Sequence, residues 1–470
     1  MKNTLLSNDK NTIRKNLISQ AWPILIAQWA GVSFGVLDTM MLGNFNAEAL
    51  QAMSLAASIF ITVSVSMMGV VHALIPIFSQ LFGAQKLRQI GILWGQGIWL
   101  AIFTSFTLGA LLLFPDVWLS ISGDISDEVR AEVSHYLRIT YFSLPAILMF
   151  RAIYSLCTSA GRPKHVMYIN VASIFVKAFF NWVLIFGQFG LPALGSVGAG
   201  ISTMLVSWFT FLFGLWILLR DPYYTKFGLI LGVPSIKHLW EILKLGLPMG
   251  GSYLVEVSSF TFMALLAARE GINVSGGHQI LANLGAFLYM MPQSIGIATA
   301  ALSAQAIGAT KYHLSHSISL QGFLIGFIGA LISITLIYFG KSWVIYLYTN
   351  DLHVAAMAAS LLTIVPVFHL LDYFQCVVTY VLRAHKIATL PFIIQTVLLI
   401  GLGLGGGYYF GYGNGKGALD GIASILTPGA TTGISSLWIM CCSALFCCGL
   451  ILAIWYTIIT RPLLRQASNQ

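Results

Sequence analysis

Charge is what this sequence has least of: only 8% of its 470 residues are Asp, Glu, Lys or Arg. That is too few to coat a soluble globule, and a hydrophobic content of 57% with a mean hydropathy of +0.84 is more apolar surface than a water-exposed fold can hide. Zincin, nucleophile-elbow and P-loop patterns are missing from any plausible context, so nothing points to an enzyme. The stretch "GLGLGG" from Gly401 matches G-x-G-x-x-G but has no strand before it. It reads as small residues for close helix packing. Cys441, Cys442, Cys447 and Cys448 lack C-x-x-C spacing and read as small apolar filler. No cofactor is expected.

Long apolar runs are what the chain does have. A bilayer takes about 20 helical residues, and the runs between charged or Gly/Pro-rich punctuation fall at 17–43, 52–82, 90–114, 133–160, 165–187, 194–219, 240–267, 280–307, 315–340, 355–383, 388–411 and 432–460. The expectation is an all-α polytopic membrane protein of twelve transmembrane helices.

The chain also repeats itself. "SQLFGAQK" at 79–86 returns as "AQAIGATK" at 304–311, and Gln80 and Gln305, Lys86 and Lys311, and Pro23 and Pro248 are all 225 positions apart. Two pseudo-symmetric six-helix bundles follow, at 1–219 and 240–470, joined by a linker at 220–239 that reads as a short amphipathic segment. An even number of helices per half makes the repeats parallel, with the cleft between them the default substrate site. In the repeated motif, Gly83 and Gly308 are expected to end their helices, and Lys86 and Lys311 to anchor at headgroups.

Most Lys and Arg lie in the N-terminus, the even-numbered loops and the C-terminus, which places both termini in the cytoplasm. The net charge of +9 then reflects topology and contact with anionic lipid, not nucleic acid. The basic N-terminus "MKNTLLSNDKNTIRKN" precedes too long an apolar run, without a small-residue cleavage site, to read as a signal peptide.

Ionisable groups at membrane depth carry the functional signal, because each costs about 2.5 to 3.5 kcal/mol at a helix centre even on insertion scales. Of the 15 acidic residues, Asp38, Glu256 and Asp372 lie there. Ser252, Glu256 and Ser259 share one helix face, as do Asp372, Gln375 and Thr379. Such stripes suit an aqueous cavity or an oxygen-lined cation site; interhelical hydrogen bonding is the plainer alternative. Gly31 and Gly35 would allow bending or close approach just before Asp38.

The duplicated halves, "LDTMMLG", the two Q-x-x-G-A-x-K signatures, "NWVLIFGQFGLPALGSVGAG" and "QSIGIATAALSAQAIGA" together resemble the MATE (multidrug and toxic compound extrusion) transporters, most of all their bacterial NorM-like branch. The resemblance implies a monomeric antiporter in the bacterial cytoplasmic (inner) membrane that exports organic cations while sodium ions or protons run inward. It implies cation binding at Asp38, Glu256 and Asp372, sodium at the last two, with Tyr289 as the aromatic hydroxyl beside them. Asp351 matches an acidic residue at the outer mouth of the tenth helix. Phe368 stands where Tyr can occur, and Lys177 where an Asn in the fifth helix would be expected.

Residue chemistry supports the same assignment. A buried carboxylate can be neutralised by a proton, a hard cation or an organic cation, one at a time, which is a route to antiport. Asp38, Asp351, Phe287, Phe374 and Gln375 are the candidate substrate contacts, the aromatics through cation–π interaction. A lipid-linked oligosaccharide flippase of a related superfamily branch is the runner-up, and would call for a cavity lined with Arg and Lys. A membrane-embedded enzyme or a receptor would call for catalytic constellations or an extracellular domain that the short loops do not offer. Only Arg151 and Lys177 are cations inside helices. Counted from Lys164, Lys177 is about 20 Å deep at 1.5 Å per residue. It is expected to pair with Asp38, leaving coupling to Glu256 and Asp372.

Overall fold

The computed structural model describes residues 9–119, 126–349 and 351–468, and among these every regular element is helical. Residues 1–8 of the basic N-terminus lie outside the described residues. Eleven helices are long and apolar enough to cross a bilayer, and a bent pair, 43° apart, brings the spans to twelve if it counts as one. They are α1 (Lys10–Gly43), α2 (Glu48–Gly83), α3 (Leu87–Leu113), α4 (Asp127–Tyr141 with Leu144–Ser159), α5 (Lys164–Phe186), α6 (Gly195–Arg220), α7 (Ile236–Ala268), α8 (Ile272–Gly308), α9 (Tyr312–Tyr348), α10 (Leu352–Ala384), α11 (Thr389–Gly411) and α12 (Thr432–Arg465). Helices are what lipid demands, since no water is there to satisfy a free backbone group. Large apolar side chains such as Phe339, Trp343 and Leu219 stand exposed on their surfaces, where a bilayer covers them.

The repeat is visible in the backbone. Gly83 and Gly308 end α2 and α8 as expected, but the left-handed residue of each stop is Gln85 (φ 59°) and Thr310 (φ 59°). The amides of Lys86 and Lys311 then close back on Leu81 O and Ala306 O, both at 2.9 Å, the long-range bond of a Schellman stop. α4 and α10 end likewise, with Gly161 (φ 73°) and Lys386 (φ 59°), again 225 positions apart. A glycine in one repeat and a lysine in the other take the same conformation.

Two compact units divide the chain, and their boundaries fall inside α1 and α7 rather than at 219 and 240: one unit is Trp22–Leu254, the other Met1–Ala21 with Val255–Gln470. In the second unit, Ile13 and Leu17 pack with Leu302 and Ala306 of α8 and Leu314 and Ile318 of α9, and Arg14 Nε donates to Gln321 Oε1 at 2.6 Å. In the first, Gly246 and Gly250 of α7 lie against the backbone oxygens of Val70 and Ser66, where a Cβ would come within 2.5 and 2.7 Å.

The linker differs from the expected amphipathic segment. After a 3-10 turn at Pro222–Phe227 it runs without helix until Ile236, laid along α3. Gln96 clasps it by donating to Val233 O (2.9 Å) and accepting from Ser235 N (2.7 Å), and Trp99 donates to Gly232 O (3.0 Å). Gly91 and Gly95 make the track: a Cβ there would stand 2.2 Å from Phe227 O and 2.1 Å from Ile230 O.

Candidate functional site

Each unit holds buried carboxylates in a different environment. In the unit of Trp22–Leu254, Asp38 near the end of α1 is 5% exposed. Its Oδ1 accepts from Asn181 Nδ2 at 2.7 Å and faces Lys177 Nζ at 2.8 Å. Both partners come from α5, where residues 177 and 181 are one turn apart on one face. Lys177, 1% exposed, also donates to Thr203 Oγ1 at 2.7 Å and to Ala199 O at 3.4 Å on α6. The expected pairing of Lys177 with Asp38 is present. Asn181, one turn on from Lys177, brings an amide to the same carboxylate, so the acidic site holds both an ammonium and an amide. Gly31 and Gly35, which would permit bending or close approach, have no neighbour within 4 Å of an added Cβ among the described residues, and α1 runs unbroken through them.

In the other unit, Glu256 of α7 is half-buried and accepts from Tyr289 Oη of α8 (3.3 Å) and from Gln395 Nε2 of α11 (3.0 Å). Gln375 of α10 also reaches it, and the Arg383 guanidinium acts on it electrostatically. Asp372, 8% exposed on α10, is within electrostatic reach of Glu256 and makes no hydrogen bond among the described residues. In both stripes hydroxyls turn back to their own helix: Ser252 to Pro248 O, Ser259 to Val255 O and Thr379 to Gln375 O, while Gln375 Nε2 also reaches Thr379 Oγ1 at 3.4 Å.

The remaining candidates are dispersed. Phe374 packs on Phe323 (6.3 Å between centroids) and against Gly449, a helix-packing position. Phe287 is 46% exposed. Phe368 is buried edge-on to Trp438 at 5.2 Å. Asp351 caps α10, accepting from His353 N (2.8 Å) and Val354 N (3.2 Å), and these amides hold its carboxyl below the usual range. Gln395, Arg383, Asn181 and Thr203 were missed. Gln395 is a lone amide in the apolar run "PFIIQTVLLIG", without the i, i+3 or i+4 polar partners that marked the Glu256 stripe.

Gln395 also opens an unforeseen feature. A π-helix spans Thr396–Gly405, through the glycine run, and Gly403, Gly406 and Gly407 bring α11 against Ala444, Met440 and Leu437 of α12. Close packing is therefore what the "GLGLGG" glycines do. Cys441, Cys442 and Cys448 are buried in helix-packing clusters, and no cluster of metal-ligating side chains occurs among the described residues.

The MatE family model matches residues 23–183 and again 248–409, two stretches whose starts are 225 positions apart. The chain belongs to the MATE family. A probable multidrug resistance protein NorM of Aromatoleum aromaticum is 34% identical over 85% of this chain and 87% of its own length. The multidrug resistance protein NorM of Aliivibrio fischeri is 28% identical over 84% of this chain and 86% of its own. A solved multidrug resistance MATE family transporter of the MOP superfamily, described as outward-facing, superposes with a TM-score of 0.84 at 18% identity, covering 99% of both chains. MATE membership sets the chain among secondary transporters, not enzymes.

Proposed function

We propose that this MATE chain is a multidrug efflux antiporter of the bacterial cytoplasmic membrane, exporting organic cations in exchange for an inward-moving sodium ion or proton bound at Glu256 and Asp372. The observation that carries this reading is Asp372: a buried carboxylate beside a second carboxylate, with no hydrogen-bond donor of its own among the described residues. Leaving such a charge uncompensated in a low-dielectric interior is costly, so the site calls for a cation that can come and go. Carboxylate oxygens with Tyr289 Oη and Gln395 Oε1, which is buried without a partner, are oxygen donors that suit a hard cation. Gln375 and Arg383 orient and tune Glu256.

Antiport then follows from competition: an organic cation and the coupling cation compensate the same negative charge, and each must favour a different conformation to drive exchange. A flippase for lipid-linked pyrophosphates would need a basic cavity; Lys177, the one fully buried lysine among the described residues, faces Asp38, and the buried Arg383 acts on Glu256. The test is efflux of ethidium or a fluoroquinolone from cells expressing the chain, with the sodium and proton gradients collapsed separately. Efflux that stops with one of them supports the reading. Efflux indifferent to the loss of both would refute it.

A further inference from the structure

The unit of Trp22–Leu254 contains a cation site that is already filled, and filled by the chain itself. Around Lys177 Nζ stand a carboxylate oxygen, Asp38 Oδ1 at 2.8 Å, a hydroxyl, Thr203 Oγ1 at 2.7 Å, and a backbone carbonyl, Ala199 O at 3.4 Å. Asn181, anchored to Asp38 through Nδ2, keeps its Oδ1 buried without a partner. Carboxylate, hydroxyl, carbonyl and amide oxygen make the ligand chemistry that hard cations take. Tyr136, 2% exposed beside Thr203, closes the site with an uncharged ring.

We propose that the Lys177 ammonium is a tethered stand-in for a coupling ion: it permanently occupies a monovalent-cation site built by Asp38, Thr203, Ala199 and Asn181, withholds Asp38 from mobile cations, and confines coupling to the Glu256 and Asp372 site. The side chain is covalently held and fully desolvated, so it satisfies Asp38 without carrying charge across the membrane. A carboxylate that already has a bonded cation gains little from a second, whereas a buried carboxylate stripped of its partner recruits one. Lys177 therefore sets how many cations one transport cycle takes. The inference rests on the reading of Glu256 and Asp372 as the coupling site, and its test separates the two.

The test uses the purified full chain with Glu256→Gln and Asp372→Asn, which silences the other unit, and measures saturable binding of radioactive sodium at mildly alkaline pH. With Lys177 intact, no bound sodium is expected. Adding Lys177→Ala should create one sodium site per chain, and adding Asp38→Asn should abolish it again. Lys177→Met, which keeps the volume without the charge, repeats the measurement in case alanine impairs folding, with thermal unfolding as the control. Two results would overturn the proposal: saturable sodium in the Lys177-containing protein that disappears on Asp38→Asn, or folded Lys177→Ala and Lys177→Met proteins that gain none. Intact gradient-driven efflux by the Glu256→Gln, Asp372→Asn chain would instead refute the coupling reading, while the sodium count still decides the role of Lys177.

Discussion

Asp38 and Asp372 are buried to nearly the same extent, 5% and 8% exposed, in the two units of one duplicated fold, yet their surroundings are opposite. Asp38 has an ammonium at 2.8 Å and an amide donor at 2.7 Å. Asp372 has another carboxylate within electrostatic reach and no donor among the described residues. Equal burial therefore goes with opposite electrostatic needs: the chain supplies a cation to Asp38 and none to Asp372 among the described residues. Both halves bury an acidic position, but not at equivalent places in the repeat: 225 positions from Asp38 stands Met263, and 225 before Asp372 stands Ile147.

The comparison breaks most visibly through the pair in the first unit. Asp38→Asn leaves Lys177 buried and unpaired, and breaking a buried pair from one side costs about 3–5 kcal/mol. Thermal unfolding in detergent should show that loss, and Asp38→Asn with Lys177→Met should recover most of it. Two equally destabilised proteins would mean the residues do not act as a pair. A smaller effect is expected at Gln395, whose amide donates to Glu256 at 3.0 Å. Hydrogen bonds to charged groups contribute roughly 1.5–3 kcal/mol, so Gln395→Ala, which takes an oxygen ligand from the proposed site and the positioning donor from Glu256, should weaken coupling-cation binding about tenfold or more. Unchanged cation dependence of efflux would remove Gln395 from the site.

The repeat-related lysines give a still smaller contrast. Lys86→Ala and Lys311→Ala should lower expression or slow transport to similar, modest degrees without altering which drugs are exported, because alanine keeps the backbone amides that close the two equivalent helix stops and removes only the headgroup anchors. A changed drug profile in either would assign it a binding role. The smallest effect belongs to Asp351. Its folded-state carboxyl is held below the ordinary range by two backbone amides, so its contribution to stability is present above the unfolded value and fades only as pH falls through the lower, folded one. Around neutrality Asp351→Asn, which can still cap α10, should leave stability and drug profile unchanged. A selective loss of resistance to cationic drugs would restore Asp351 as a substrate contact.

Much of this was legible in the residues because lipid imposes strict rules. Apolar run length gave the spans, and the 225-residue offset gave the repeat down to the helix ends at Gly83 and Gly308. An ammonium as deep as Lys177 needs a carboxylate, and Asp38 was the only one available within its half. What stayed hidden depends on packing between helices. Gln395 reaches Glu256 from a helix 139 positions away, and no periodicity within α7 announces it. The linker's course is decided by what Gly91, Gly95 and Gln96 of α3 offer its backbone, and its own alternating pattern suggested an amphipathic segment instead. Phe374 carries the same ring whether it meets a drug or packs against Gly449, so only the neighbouring α12 distinguishes the two.

The central claim is that the coupling cation is bound by Glu256 and Asp372, and transport in reconstituted vesicles tests it most directly. Purified wild-type chain in proteoliposomes should move ethidium against an imposed sodium or proton gradient, while Asp372→Asn, which leaves the site only Glu256 of its two carboxylates, should reduce gradient-driven movement at least about tenfold, a change of roughly 1.4 kcal/mol or more. Asp372→Asn vesicles that respond to the same gradient as fully as the wild type would contradict the account.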